Sequence, residues 1–404
     1  MPETLFYSWC LTIVQIPLIV VSLQFRCGGK VCMLRHYRPS KDGTFVFRHT
    51  VKDYQIIIED IQEEILPKPI LDAINETHLT IRESPAVKQL SISSNCTIVH
   101  MFVKNTSLRS LNIDVNEHIV YLSITYSMLV AIPRTIGNLK ALATLTITHS
   151  LLRQLDLGLF CNTVTLNDLS ILDNKIKSVI NSSKSSCLTM MKGIYMNRNE
   201  VQILNMDEFN SFPKLEFLSF TSNRIELVTG RVNSTSLEVL GLCSNRINQI
   251  DLCQWYAPSL RSLLISNNAL NELPYCLATM LNIDKIVLNR NRITHFQFYW
   301  IAPLEYLRVI DLSFNYLTSI SFNDRFPKQL NWINLKSNLL TSLDLSYVPV
   351  PGLSINVENN CITHFNVTST TINVADLAMA GNPIDCSWTN REKKEAVLCT
   401  HNSN

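Results

Sequence analysis

LRSLLISNNALNEL, residues 260–273, places leucine or isoleucine at Leu260, Leu263, Ile265, Leu270 and Leu273, with asparagine at Asn267, Asn268 and Asn271. Written as L-x-x-L-x-L-x-x-N-x-L-x-x-L, the same pattern returns along the chain. LNDLSILDNKIKSV starts at Leu166, LEFLSFTSNRIELV at Leu215 and LEVLGLCSNRINQI at Leu237. IDKIVLNRNRITHF starts at Ile283, LRVIDLSFNYLTSI at Leu307 and LNWINLKSNLLTSL at Leu330. The second apolar anchor of each unit falls at Leu122, Leu145, Leu169, Ile194, Leu218, Leu240, Leu263, Ile286, Ile310, Ile333, Ile355 and Leu377. Successive spacings are 23, 24, 25, 24, 22, 23, 23, 24, 23, 22 and 22 residues.

This regularity has a physical reading. Side chains alternate along a strand, so the L-x-L step turns both leucines to one face. Stacked units then build a parallel sheet over a continuous apolar core, and a period of 20–29 residues is that of the leucine-rich repeat. The expected fold is an α/β leucine-rich-repeat solenoid, a horseshoe with the parallel sheet on its concave face and disulfide-bonded end caps. Where the chain leaves the sheet, backbone groups would be buried unpaired, at about 1–3 kcal/mol each. An asparagine side chain carries both donors and an acceptor, and can satisfy them. Asn174, Asn199, Asn223, Asn245, Asn268, Asn291, Asn315, Asn338, Asn360 and Asn382 form this predicted ladder, with Ser127 and Ser150 in two early units. Glycine is scarce, 10 in 404 residues, so asparagine is the expected turn former. Upstream of residue 119 the phase is lost. VKQLSISSN (87–95) and LRSLNIDVN (108–116) resemble units, yet Leu111 lies only 11 residues before Leu122. Residues 33–86 read as an irregular cap. The predicted boundaries are a leader over 1–24, a cap region over 25–86, repeats over 87–385 and a closing cap with tail over 386–404.

The chain is 46% hydrophobic and 17% charged, with a formal net charge of +2. That balance gives no reason to expect nucleic acid, which needs a strongly basic face. Leu5 to Phe25 is nearly uncharged and rich in Leu, Ile and Val, and Val20 and Ser22 offer a small-residue cleavage site. The opening MPET has no Lys or Arg, and Pro17 interrupts the apolar core, so an uncleaved anchor is the alternative. Both readings send the remainder into the secretory pathway. N-glycosylation sequons begin at Asn75, Asn95, Asn105, Asn181, Asn233 and Asn366.

Twelve cysteines constrain the ends and the turns. Cys253 and Cys276 each precede the next anchor by 10 residues, which stacks them on adjacent turns at disulfide distance. Cys161 and Cys187 precede theirs by 8 and 7 residues and are expected to pair likewise. Cys27 with Cys32 suits an N-terminal cap bridge, and Cys386 with Cys399 a C-terminal one. Removing Cys10 with the leader leaves an odd number, so one thiol is free or intermolecular. Cys243, three residues after Leu240, points outward and is the candidate. Cys96 and Cys361 have no assigned partner. No zinc spacing, H-E-x-x-H, G-x-S-x-G or Walker loop is present. No enzyme activity, cofactor or metal is expected.

Function then falls to the exposed face of the sheet. The repeat phase turns Tyr195, Arg198 and Phe217 outward, and a second group of Lys285, Arg290, Arg308, Phe314, Trp332 and Lys336. Aromatic and arginine side chains carry much of the energy of protein interfaces, so this second group is the candidate binding patch.

A leader, a two-cysteine cap, asparagine-type repeats over about residues 119–385 and a closing GNPIDCSW resemble the secreted leucine-rich-repeat immune proteins of mosquitoes. Members of that family circulate in haemolymph. The best known pair through a disulfide and hold a complement-like thioester protein, and those carry a C-terminal coiled coil. With Asn404 five residues after Cys399 and no heptads, this chain is more similar to the coil-less members. The resemblance implies a secreted recognition protein whose partner is a protein, complement-like or another repeat protein, or a microbial surface. An extracellular adhesion or receptor-like module, tethered by an uncleaved leader, is the alternative; an inhibitor using the same face has no feature of its own.

Overall fold

The structure is a computed structural model, and it describes residues 22–51, 53–183 and 187–384. Most of the expected leader and the 386–404 segment, with Cys386 and Cys399, lie outside the described residues.

One 17-stranded sheet runs the length of the molecule. Its strands follow chain order, and every pairing after the first is parallel. All twelve anchors meet their neighbours in register: Leu122 faces Leu145, Leu263 faces Ile286, and Ile355 faces Leu377. From Leu122 to Ile355 the anchors are at most 2% exposed, so the leucine pattern is a continuous core. The return side of the turns is built from short 3-10 segments, such as Leu157–Phe160, Met206–Phe209 and Phe298–Trp300. Among the described residues α-helix is limited to Pro39–Asp42 and Lys68–Asp72.

The asparagine ladder holds in atomic detail. Asn315 donates from Nδ2 to Leu312 O (3.0 Å) in its own turn and to Leu288 O (3.1 Å) in the preceding one. Its Oδ1 accepts from the amide of Ile293 (3.0 Å). The same three bonds recur at Asn199, Asn223, Asn268, Asn338 and Asn382. Each asparagine therefore ties its turn to the one before. Ser127 and Ser150 occupy the column as expected, joined hydroxyl to hydroxyl at 2.7 Å.

Two sequence expectations need correction. The first concerns the turn. The ladder asparagine is not the residue in the left-handed conformation; the residue before it is. His36, Asp60, Glu83, Asn105, Tyr126, His149, Asp173, Arg198, Ser222, Ser244, Asn267, Arg290, Phe314, Ser337 and Asn359 all have φ between 47° and 59°, and Gly381 closes the series at 75°. Few are glycine or asparagine, the residues that adopt this region readily. The ladder hydrogen bonds and the stacked core hold the others there.

The second concerns the N-terminal part. Residues 33–86 are not an irregular cap. Val31–Arg35, Gln55–Glu59, His78–Ser84 and His100–Thr106 are parallel strands continuous with Tyr121–Thr125. Their buried residues Leu34, Ile58, Ile81, Val103 and Ile124 are in register, with spacings of 24, 23, 22 and 21. The ladder column holds Tyr37, Ile61, Ser84 and Thr106 here, which removes the asparagine that marks a unit. VKQLSISSN and LRSLNIDVN supply strands Gln89–Ile92 and Ser110–Ile113 of a small separate sheet on the return side. Leu111 is thus half a turn from Leu122, which explains the short spacing. The true end of the sheet is an antiparallel hairpin. Gln24–Gly28 folds onto Val31–Arg35, with Cys27 bonded to the opposing Cys32. This hairpin covers the edge of the parallel sheet, which would otherwise present unpaired backbone groups.

Candidate functional site

The open face of the sheet presents three residues per turn around each buried anchor: the one before, the one after and the third after. The left-handed residue follows as a rim. From Lys285 onward the row before the anchors reads Lys285, Val309, Trp332 and Ser354, on adjacent strands. Val287, Asp311 and Asn334 form the next row. At the rim the Arg290 guanidinium lies 4.4 Å from the centroid of the Phe314 ring. Phe314 is 40% exposed, whereas Trp332 is only half-buried rather than standing free. Among these residues Asn289 Oδ1 is buried without a hydrogen-bond partner.

Not all of the predicted cations are available. Arg308 lies two residues before its anchor, at the opposite margin, and pairs with Asp284 at 2.6 Å. Lys336 pairs with Glu358 at 2.8 Å and holds that carboxyl below its ordinary range. Arg198 binds Asp173 through two nitrogens and lowers the Asp173 carboxyl likewise. Among the described residues Lys285 and Arg290 have no carboxylate partner, so the patch is less basic than its composition suggests. Tyr195 and Phe217 sit apart from it, on adjacent strands. The Tyr195 ring lies over Gly193, where a Cβ would meet the ring at 2.7 Å.

Sequence reasoning missed the N-terminal quarter of the same face. There His78 and His100 stack at 4.3 Å, and Phe102 and Tyr121 lie 5.2 Å apart. Burial and the neighbouring His78 push the His100 imidazole below its ordinary pKa. Beside them stand Arg35, Glu59, Arg82 and Lys104. The L-x-L-like pairs Leu79/Ile81 and Met101/Val103 were the available signal, without an asparagine to fix their phase.

The predicted bridges Cys27–Cys32, Cys161–Cys187 and Cys253–Cys276 are all present. Cys243 is free and half-buried on the open face. It is not the most accessible thiol: Cys361, directly after ladder Asn360, is free and exposed. Cys96 is free but buried, and burial pushes its thiol up to about 11, which leaves little thiolate to react. Of the sequon asparagines, Asn75, Asn95, Asn233 and Asn366 are exposed away from the open face. Asn105 is exposed on the rim, where its amide binds Glu83 at 2.6 Å. Asn181 is half-buried and donates to Glu208 O at 3.2 Å.

No protein-family model matches the chain. It is 24% identical over 240 residues to an adenylate cyclase of Schizosaccharomyces pombe, over 56% of this chain and 14% of that protein. It is 28% identical over 186 residues to immunoglobulin domain and leucine-rich repeat-containing protein 2 of Caenorhabditis elegans, over 40% of this chain and 23% of that protein. The chain thus spans less than a quarter of the length of these curated relatives. Among solved structures, the APL1 leucine-rich repeat domain superposes with a TM-score of 0.50 at 15% identity, covering 88% of each chain. The LRIM1/APL1C complex gives 0.49 at 15% identity, over 88% of this chain and 62% of that one. At such identities the likeness speaks to architecture, and the architecture is that of a leucine-rich-repeat solenoid.

Proposed function

We propose that the protein is a secreted, non-enzymatic recognition protein of innate immunity that binds a protein or microbial surface with the open face of its sheet. The observation that carries the reading is the patch around Trp332, Phe314 and Arg290. It combines two large aromatic side chains, Phe314 on the rim and Trp332 on the face, with an arginine held over the Phe314 ring. These are features of interface centres rather than of solvated surface. Three disulfides support an oxidising compartment. Among the described residues no helix is long and apolar enough to cross a membrane. Exposed sequons that mostly avoid the open face would leave it bare of glycan.

The test is capture. Tagged protein is passed through extracellular fluid of the source organism, and the eluate is resolved with and without reductant. A specific co-purifying protein is expected with the native chain. Trp332→Ala should keep the native melting midpoint and lose most of that partner, by about 2 kcal/mol of binding. Full retention of the partner by Trp332→Ala would remove this patch from the interface.

A further inference from the structure

The third residue after each anchor forms a row along the open face. From Thr125 to Ser313 that row carries no charged side chain. At its N-terminal end it reads Arg35, Glu59, Arg82 and Lys104, on four adjacent strands in register. Glu59 is 8% exposed and sits between the two arginines. Arg35 Nε donates to Glu59 Oε2 at 2.6 Å and Arg82 Nε to Glu59 Oε1 at 2.6 Å. Burial would raise the Glu59 carboxyl, but the bonds from Arg82 and Arg35 hold it below the ordinary carboxylate range.

One carboxylate thus fixes two guanidiniums, each with N–H groups left over. Lys104 is exposed and has no side-chain partner among the described residues. It is directly opposite Arg82, and like charges so placed repel. The row has three cations to one anion. Glu59, Arg82 and Lys104, with Glu83, Phe102 and Thr125, line a concavity of about 400 Å3, and Arg35 extends the row beyond it.

We propose that this row is an anion-binding site for an extended acidic peptide, with Arg35, Arg82 and Lys104 receiving carboxylates. Arg35 and Lys104 are three strand intervals apart, about 14 Å. An extended chain presents three alternate side chains over about 13 Å. The guanidiniums are already ordered by Glu59, so binding loses little side-chain freedom. This site is separate from the Trp332 patch and does not depend on its role.

The probe is a fluorescein-labelled decapeptide of alternating Glu and Ala, followed by anisotropy at low salt. Binding should weaken as salt rises. Lys104→Gln should weaken it about fivefold, and Arg82→Gln with Lys104→Gln at least about tenfold. Lys104 has no side-chain partner among the described residues, so Lys104→Gln should melt like the native protein, which separates binding from folding. Lys177→Gln, an exposed lysine outside the row, should bind the peptide normally. Unaltered binding by Lys104→Gln, or an equal loss with Lys177→Gln, would overturn the site. So would a sulfated oligosaccharide that binds more tightly through the same Lys104, because the ligand would then be a glycan.

Discussion

Phe298→Ala is expected to lower the unfolding free energy by about 3–5 kcal/mol, the range for removing a buried phenylalanine. Phe298 is fully buried in a 3-10 turn on the return side. Its ring meets Phe296 at 5.0 Å edge-on, Phe322 at 5.0 Å and Phe326 at 4.4 Å. Phe296 and Phe298 come from one turn, Phe322 and Phe326 from the next. The cluster therefore does on the return side what the leucines do under the sheet. Removing its central ring leaves a hole walled by other rings, which cannot close without moving two backbone turns. Aromatic pairs also contribute about 0.5–1.5 kcal/mol each beyond their buried area. Stability in a solenoid is a sum over units and their neighbours. Hydrogen exchange should consequently speed up around residues 283–343 and stay slow over 55–125. A urea midpoint equal to that of the native protein would show that the cluster contributes nothing.

Asn315→Ala should cost about 3 kcal/mol or more. Asn315 is 4% exposed. Alanine there abandons Leu288 O, Leu312 O and the amide of Ile293, all inside the ladder. Each orphaned buried group carries a penalty of about 1–3 kcal/mol. Water has little access to replace the lost bonds. Two related changes calibrate the size. Asn268 is only half-buried, so Asn268→Ala should lose about 1–3 kcal/mol. Ser127 makes a 2.7 Å bond to Ser150 and a long 3.4 Å one from Leu129 N, so Ser127→Ala should lose about 1 kcal/mol. Equal melting midpoints for Asn315→Ala and Ser127→Ala would mean that the column is decorative.

The order of these effects explains what could be read from sequence. The sheet was legible wherever L-x-L and the ladder asparagine occur together, because one fixes the buried face and the other fixes the turn. Cys253 and Cys276 could be paired because the period places them one above the other. The N-terminal strands escaped because Tyr37, Ile61, Ser84 and Thr106 replace asparagine. Only the alternation of Leu79 with Ile81 and Met101 with Val103 remained, and period-two alternation alone cannot tell a repeat from an isolated strand. The face was legible as directions but not as partnerships. Arg308 and Lys336 read as free cations until Asp284 and Glu358 are seen beside them. Both carboxylates come from neighbouring turns, at 24 and 22 residues' distance. The same limit applies to thiols: phase shows that Cys243 points outward, but not that Cys361 is more exposed.

That the open face is the binding surface is tested most directly by hydrogen exchange of the protein alone and saturated with the partner it captures. Slowed exchange is expected in peptides spanning 285–290, 308–314 and 332–336, with the return-side segments 318–328 and 342–352 unchanged. Protection confined to those return-side segments would contradict it.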